Sequence, residues 1–281
     1  TEFVTLGTSD GDSCLFNGLL ATLGYAIGEA GVKYSQAKKG EPMAGMYYRS
    51  PIRRSWGKDL RGHKSYFSRD MALGVLAYYI STKDTVNSPA ENWLKFIDKN
   101  RPCKVKKPKW AGGGCLLRGL HTYAPDYRST ITPTMWAIMH RVWSYKKWKT
   151  TSNMNKWEKC DGDTSVIEAK VCDLGYKLHL KVIQAYLKSL MGVSQEYVNK
   201  VSEIAFERIP GNLFYEFMAR KRMVTNEMLD RYLQLKPELD QNFGNSWTWE
   251  KSEVTDARIQ ESSGWDFVFL GSLFTNPPNL S

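Results

Sequence analysis

A chain of 281 residues, 42% hydrophobic and 13% aromatic, holds enough apolar material for a substantial core, which excludes a linker or a disordered tail. No apolar run approaches the roughly eighteen residues of a membrane span, so none is expected. The formal net charge of +10 favours anionic partners such as nucleic acid, acidic glycans or a cell wall.

The opening Thr1-Glu2-Phe3-Val4-Thr5 lacks the basic and apolar blocks of a signal peptide, and localisation stays open. The first strong element follows Thr8-Ser9-Asp10-Gly11-Asp12-Ser13. Leu15, Phe16, Leu19, Leu20 and Leu23 repeat at the spacing of one buried helical face, which predicts a helix from about Asp12 to Tyr25. Asp10, Asp12 and Ser13 are all good N-cap types, and Asn17 adds an amide near the helix mouth. One Asp as a cap and the other in solvent is the plain alternative to a carboxylate that faces a cleft.

A weaker helix is expected from Ile27 to Lys39, then a long loop from Met43 to Phe67 that carries Tyr47, Tyr48 and Arg49. Ser68 opens a helix to about Ile80, with Arg69 and Asp70 in its first turn. Ser88-Pro89-Ala90-Glu91 is a capping box with Pro at the first helical position. The helix it opens is expected to form an antiparallel hairpin with the Ser68 helix. Arg101 to Tyr127 reads as irregular; its Gly112-Gly113-Gly114 lacks the P-loop spacing. Thr132-Pro133 begins the next helix. A long apolar-sided segment runs from about Thr164 to Leu190, and Ser194, Asn212 and Thr225 each open a further helix. Trp247-Thr248-Trp249 and Trp265-Asp266-Phe267-Val268-Phe269-Leu270 are aromatic and β-prone, and predict a short C-terminal ribbon or strap.

The expectation is one helical domain over residues 1–281, all-α, with antiparallel helical hairpins and long connecting loops. So many helices suit a ring of hairpins better than a four-helix bundle. Asp10-Gly11-Asp12-Ser13 recurs as Asp161-Gly162-Asp163-Thr164, each before a helix. The repeat is also ordinary turn and cap chemistry, and no following acid completes a calcium loop.

The five cysteines show no Cys-x-x-Cys spacing, so no metal site is expected. Their odd number argues against a full disulfide framework, while a Cys103–Cys115 or Cys160–Cys172 bridge stays open. Cys14 lies in the opening motif but has apolar neighbours and no nearby His, which argues against a nucleophile. No cofactor is expected either.

The phrases Ser68-Arg69-Asp70-Met71-Ala72-Leu73-Gly74 and Asp10-Gly11-Asp12, with many Trp and Tyr in connecting loops, resemble the (α/α) toroid glycoside hydrolases and polysaccharide lyases. In the inverting hydrolases of that class, a Ser-Glu-Gly helix start and an Asp-containing one carry the acid and the base. Here Arg69 stands at the glutamate position with Asp70 beside it, and the two phrases occur in the opposite order. The resemblance implies a toroid or barrel and functional roles for Asp12 and Asp70.

Such a pair would cleave a glycosidic bond. One carboxylic acid protonates the leaving oxygen while the second carboxylate activates water or attacks the sugar. Substrate contacts are then expected from Asp10, Asn17, Tyr47, Tyr48, Arg49, Arg69 and Trp110, and from His121, Tyr123, Asp126, Tyr127 and Arg128. The last five make the richest segment for a lyase, where a Tyr or His base and a cation act on a uronic acid. His140 and His179 fall inside helix patterns and read as structural. The partner expected is a polysaccharide, with an acidic one among the candidates. A non-catalytic protein that binds through basic and aromatic loops is the rival from another class. No helix-turn-helix, zinc-finger or RNA-recognition signature supports nucleic acid.

Overall fold

The computed structural model describes residues 13–37, 45–49, 67–82, 88–100, 103–106, 115–119, 130–193, 195–221, 223–234 and 265–278. These are mostly helical, with twelve α-helices, a short 3-10 turn and three short strands among them. The chain divides into two compact units, Thr1–Trp136 and Ala137–Ser281.

The first unit contains α1 (Ser13–Thr22), α2 (Ala26–Ser35), α3 (Arg69–Ser81) and α4 (Ser88–Asn100). Every residue of α1 from Ser13 to Ala21 is buried, and so is every residue of α3 from Met71 to Ile80. Two helices buried on all sides can lie together only if their side chains leave room. Gly18 and Gly74 provide it. A Cβ added to Gly18 would lie 1.9 Å from the Gly74 carbonyl oxygen, and one on Gly74 would lie 2.2 Å from that of Cys14. The backbones therefore touch, and Leu15, Phe16, Leu19 and Leu20 each contribute roughly 1.5–3 kcal/mol of burial around that contact.

Helix α2 folds back on α1 through the turn at Gly24, whose φ is 84°. It keeps an exposed face bearing Ile27 and Tyr34, with Tyr25 exposed at its N-cap. Against α4, the rings of Tyr47, Phe67, Tyr79 and Trp93 form a buried cluster with centroids 5.6–6.4 Å apart.

The stretch expected to be irregular holds two strands of an antiparallel sheet, β1 (Cys103–Lys106) and β2 (Cys115–Gly119), completed by β3 (Thr130–Ile131) in the order β1-β2-β3. Cys103-Lys104-Val105-Lys106 alternates with period two, a signal that the surrounding Lys and Pro residues hide. Register pairs Cys103 with Arg118 and Lys106 with Cys115.

Helix α5 (Pro133–Tyr145) crosses the unit boundary. Its predicted start holds: the Met135 amide donates to Thr132 Oγ1 at 3.2 Å. The second unit continues with α6 (Ser152–Trp157), the 3-10 turn Glu158–Asp161, α7 (Asp163–Val171), α8 (Tyr176–Leu190), α9 (Gln195–Arg208), α10 (Leu213–Ala219), α11 (Asn226–Gln234) and α12 (Trp265–Thr275). The single segment expected from Thr164 to Leu190 is two helices, because Gly175 takes a φ of 81° and turns the chain between α7 and α8. Cys160 and Cys172 are free, so the bridge between them is not made.

The C-terminal expectation is also corrected. Trp265 to Leu270 does not form a ribbon but begins α12. Phe269, Leu270, Leu273 and Phe274 are its buried residues, at the i, i+1, i+4, i+5 spacing of a helix face. The β-prone window ended at Leu270, before that period could show. Trp247-Thr248-Trp249 lies outside the described residues. The face of α12 packs on aromatic neighbours, with Tyr186 and Phe269 centroids 5.8 Å apart and Phe217 and Phe274 5.7 Å apart.

Charges buried in the second unit are paired within it. Asp161, 6% exposed, receives Arg141 Nε on Oδ2 and Lys188 Nζ on Oδ1, each at 2.6 Å. Lys188 also donates to the Asp161 carbonyl at 2.9 Å and to Ser165 Oγ at 3.3 Å. Burial lowers the Lys188 ammonium below its ordinary pKa, opposed by the Asp161 charge. Glu216 is held by Arg220 Nε at 2.7 Å and by Arg231.

Candidate functional site

The elements around the opening motif are tied together by residues 45–49. Ala37 N–H donates to the Met46 carbonyl at 3.0 Å and Tyr48 N–H to the Ser35 carbonyl at 2.8 Å, which lays this stretch along the end of α2. Gly45, with φ 91°, allows the approach to α4: a Cβ there would lie 2.6 Å from the Asn92 carbonyl oxygen. The stretch delivers Arg49 to the start of α1, where its carbonyl accepts from the Cys14 amide at 3.1 Å. The Arg49 side chain then reaches the start of α3, with Nη2 3.8 Å from Asp70 Oδ2. Two helix starts, each bearing acidic residues in the sequence, are thereby joined by one arginine.

Asp70 and Arg69 are partly buried. Asp70 stands in the first turn of α3, where a carboxylate is stabilised by the helix dipole. Ser68 has the extended backbone of an N-cap residue but makes no side-chain cap bond, and its buried hydroxyl has no hydrogen-bond partner. The Arg69 Nε is likewise buried without a hydrogen bond.

Tyr47 is 1% exposed, and its hydroxyl shares a hydrogen bond with that of Tyr79 at 2.8 Å. Burial pushes both phenols up. Tyr48 is buried too, and Asn17 is 2% exposed. The Asn17 amide donates to the Ser13 carbonyl at 2.8 Å and to Ser13 Oγ at 3.1 Å, and it packs where Gly31 of α2 has no side chain. These geometries fix Tyr47 and Asn17 in the framework beneath the two helix starts. Cys14 is fully buried; burial raises its thiol pKa, the Asp70 charge adds to the rise, and a hydrogen bond with Ser35 opposes it. A thiol held in its neutral form is a poor nucleophile.

Asp10, Asp12, Trp110, His121, Tyr123, Asp126, Tyr127 and Arg128 lie outside the described residues. The structure thus brings Arg49 and Asp70 together near the beginning of α1, with Arg69 next to Asp70 in the chain. Ser68 is the addition: sequence reasoning saw only a cap. The other Asp-Gly-Asp phrase is accounted for by packing, since Asp161 is the buried anchor for Arg141 and Lys188. His179 is enclosed by the rings of Phe214 and Tyr215, and burial lowers its pKa to about 3.

Among the described residues no group of three His, Cys, Asp or Glu side chains is placed to hold a metal ion. Among them, too, no helix is long and apolar enough to cross a membrane. No family model, curated protein or solved structure matches this chain.

Proposed function

We propose that the chain is a glycan-degrading enzyme, a glycoside hydrolase that uses Asp12 and Asp70 as its carboxylate pair on a polysaccharide. The observation that carries the reading is the link through Arg49, from the Cys14 amide at the start of α1 to the Asp70 carboxylate at the start of α3. In the sequence Asp12 stands two residues before Cys14, which supports pairing it with Asp70. An (α/α) toroid is the architecture we infer for it. Its support is the α1/α2 hairpin, in which one helix is buried on all sides and the other keeps an exposed face.

In this mechanism one carboxyl group protonates the glycosidic oxygen and the other activates water or attacks the anomeric carbon. A separation of about 5–5.5 Å gives retention, and about 6.5–9.5 Å gives inversion. Arg49 orients Asp70 through their ion pair.

The test is a depolymerisation screen over acidic and neutral glycans with the native chain, Asp12→Asn and Asp70→Asn. Reducing ends and unsaturated-uronate absorbance are read together. New reducing ends without absorbance, lost by a factor of 100 or more in both folded variants, are the expected result. Absorbance from an unsaturated uronate would transfer the chemistry to elimination by a Tyr or His base. Silence on every glycan, with salt-sensitive binding unchanged in both variants, would sink the enzyme reading and leave a binding protein.

A further inference from the structure

We propose that the mouth of α3 is an oxyanion site, built from the Arg69 guanidinium, the Ser68 hydroxyl and the first-turn amides, that takes the carboxylate or sulfate of an acidic glycan. It rests on the glycan-degrading reading and names the substrate class of that site.

Three polar groups in succession lead there. Ser68 is 3% exposed and occupies the N-cap position of a thirteen-residue helix, where a serine side chain stands at the mouth of the first turn. Its hydroxyl makes neither the cap bond nor any other. The α3 ladder begins with the Ala72 amide donating to the Ser68 carbonyl, so the amides of Arg69, Asp70 and Met71 precede it with no cap from Ser68. These are the donors that make a helix start an anion site.

Arg69 supplies the charge. Its partly buried guanidinium makes no ion pair among the described residues, and its Nε is buried without a hydrogen bond. Asp70, the nearest acid in sequence, is already faced by Arg49. The second unit shows the contrasting case: Asp161 and Glu216 each meet two cations. A partly buried guanidinium with a buried Nε that makes no hydrogen bond is open to a counter-ion, and its planar fork fits a carboxylate or sulfate oxygen pair.

The 281-residue chain carrying Asp12→Asn, chosen to keep the ligand intact, is titrated with hexagalacturonate, its methyl ester, a sulfated chondroitin hexasaccharide and cellohexaose. An anionic hexamer should bind at least tenfold more tightly than the ester and the neutral hexamer, and the uronate and sulfate arms identify the group. Adding Arg69→Gln should abolish that preference, and Arg69→Lys should restore part of it. Ser68→Ala should weaken anionic binding severalfold while the melting temperature holds or rises, because the hydroxyl has no partner in the fold. Equal binding of charged and neutral hexamers, an unchanged preference in folded Arg69→Gln, or no binding of any hexamer overturns the site. Cleavage of neutral glycans without anionic preference would sink this proposal and leave the hydrolase. Arg69-dependent anionic binding without cleavage of any glycan by the native chain would do the reverse.

Discussion

The start of α3 in the first unit and the start of α10 in the second treat their polar groups in opposite ways. In the second, Asn212 caps α10 by accepting from the amides of Phe214 and Tyr215 at 3.0 and 3.1 Å, and Asp161 is enclosed by two cations. In the first, Ser68 holds the same N-cap position with no hydrogen-bond partner for its hydroxyl, beside an arginine that makes no ion pair among the described residues. Polar groups that answer one another inside the fold serve stability. Ser68 and Arg69, which the fold leaves unanswered, are the groups that the proposed oxyanion site would use.

The sharpest way to break this contrast is at Asp161. Asp161→Ala leaves Lys188 buried without its carboxylate and should cost about 3–5 kcal/mol in urea unfolding; a loss below about 1 kcal/mol would mean that the buried pair is not structural. Next is His179, whose folded pKa of about 3 lies below its ordinary 6.5. Below pH 6.5 the unfolded chain takes up a proton that the folded chain refuses. Stability therefore falls as pH drops from 6.5 towards 3, by up to about 1.4 kcal/mol per pH unit. His179→Phe should flatten that slope, and parallel acid-unfolding curves for the two proteins would refute it.

Gly18→Ala tests the contact under the candidate site. Its Cβ meets backbone of α3 that cannot rotate away, so a loss of about 1–3 kcal/mol or more is expected; an unchanged melting temperature would show that the helices do not touch there. The smallest effects form a pair. Asn212→Ala should cost about 1 kcal/mol, whereas Ser68→Ala should cost close to nothing. Equal losses would erase the distinction between an engaged cap and an unengaged one.

Much of the helical content is legible in the sequence because caps and apolar periods agree: Thr132, Asn212 and Thr225 each precede a helix, and the first two turns of α1 repeat at helix spacing. The sheet was hidden because strands of two to five residues offer at most two repeats of their period, and Lys and Pro surround the first. The C-terminal helix was hidden by aromatic β-propensity, which tertiary packing against Tyr186 and Phe217 overrides. At the candidate site, Arg49, Arg69 and Asp70 could be picked out as residue types, but not the hydrogen bond that brings Arg49 to Cys14. Nor does sequence distinguish an engaged serine cap from Ser68. Asp161 carries the opposite lesson: it repeats the opening phrase and turns out to be an ion-pair anchor.

The Gly18–Gly74 contact also bears on folding rate. Helices α8, α9 and α10 pack mainly on one another, close in sequence, and such local contacts form early. The α1–α3 contact must wait until all of α2 and the stretch beyond it have been drawn into a closed loop. Until then the leucines of α1, covered on every side in the finished fold, remain open to other chains. Pulsed hydrogen exchange during refolding should find amides of α8 and α9 protected before those of α1 and α3, and additives that suppress aggregation should act on that lag; simultaneous protection would show that the two units fold as one.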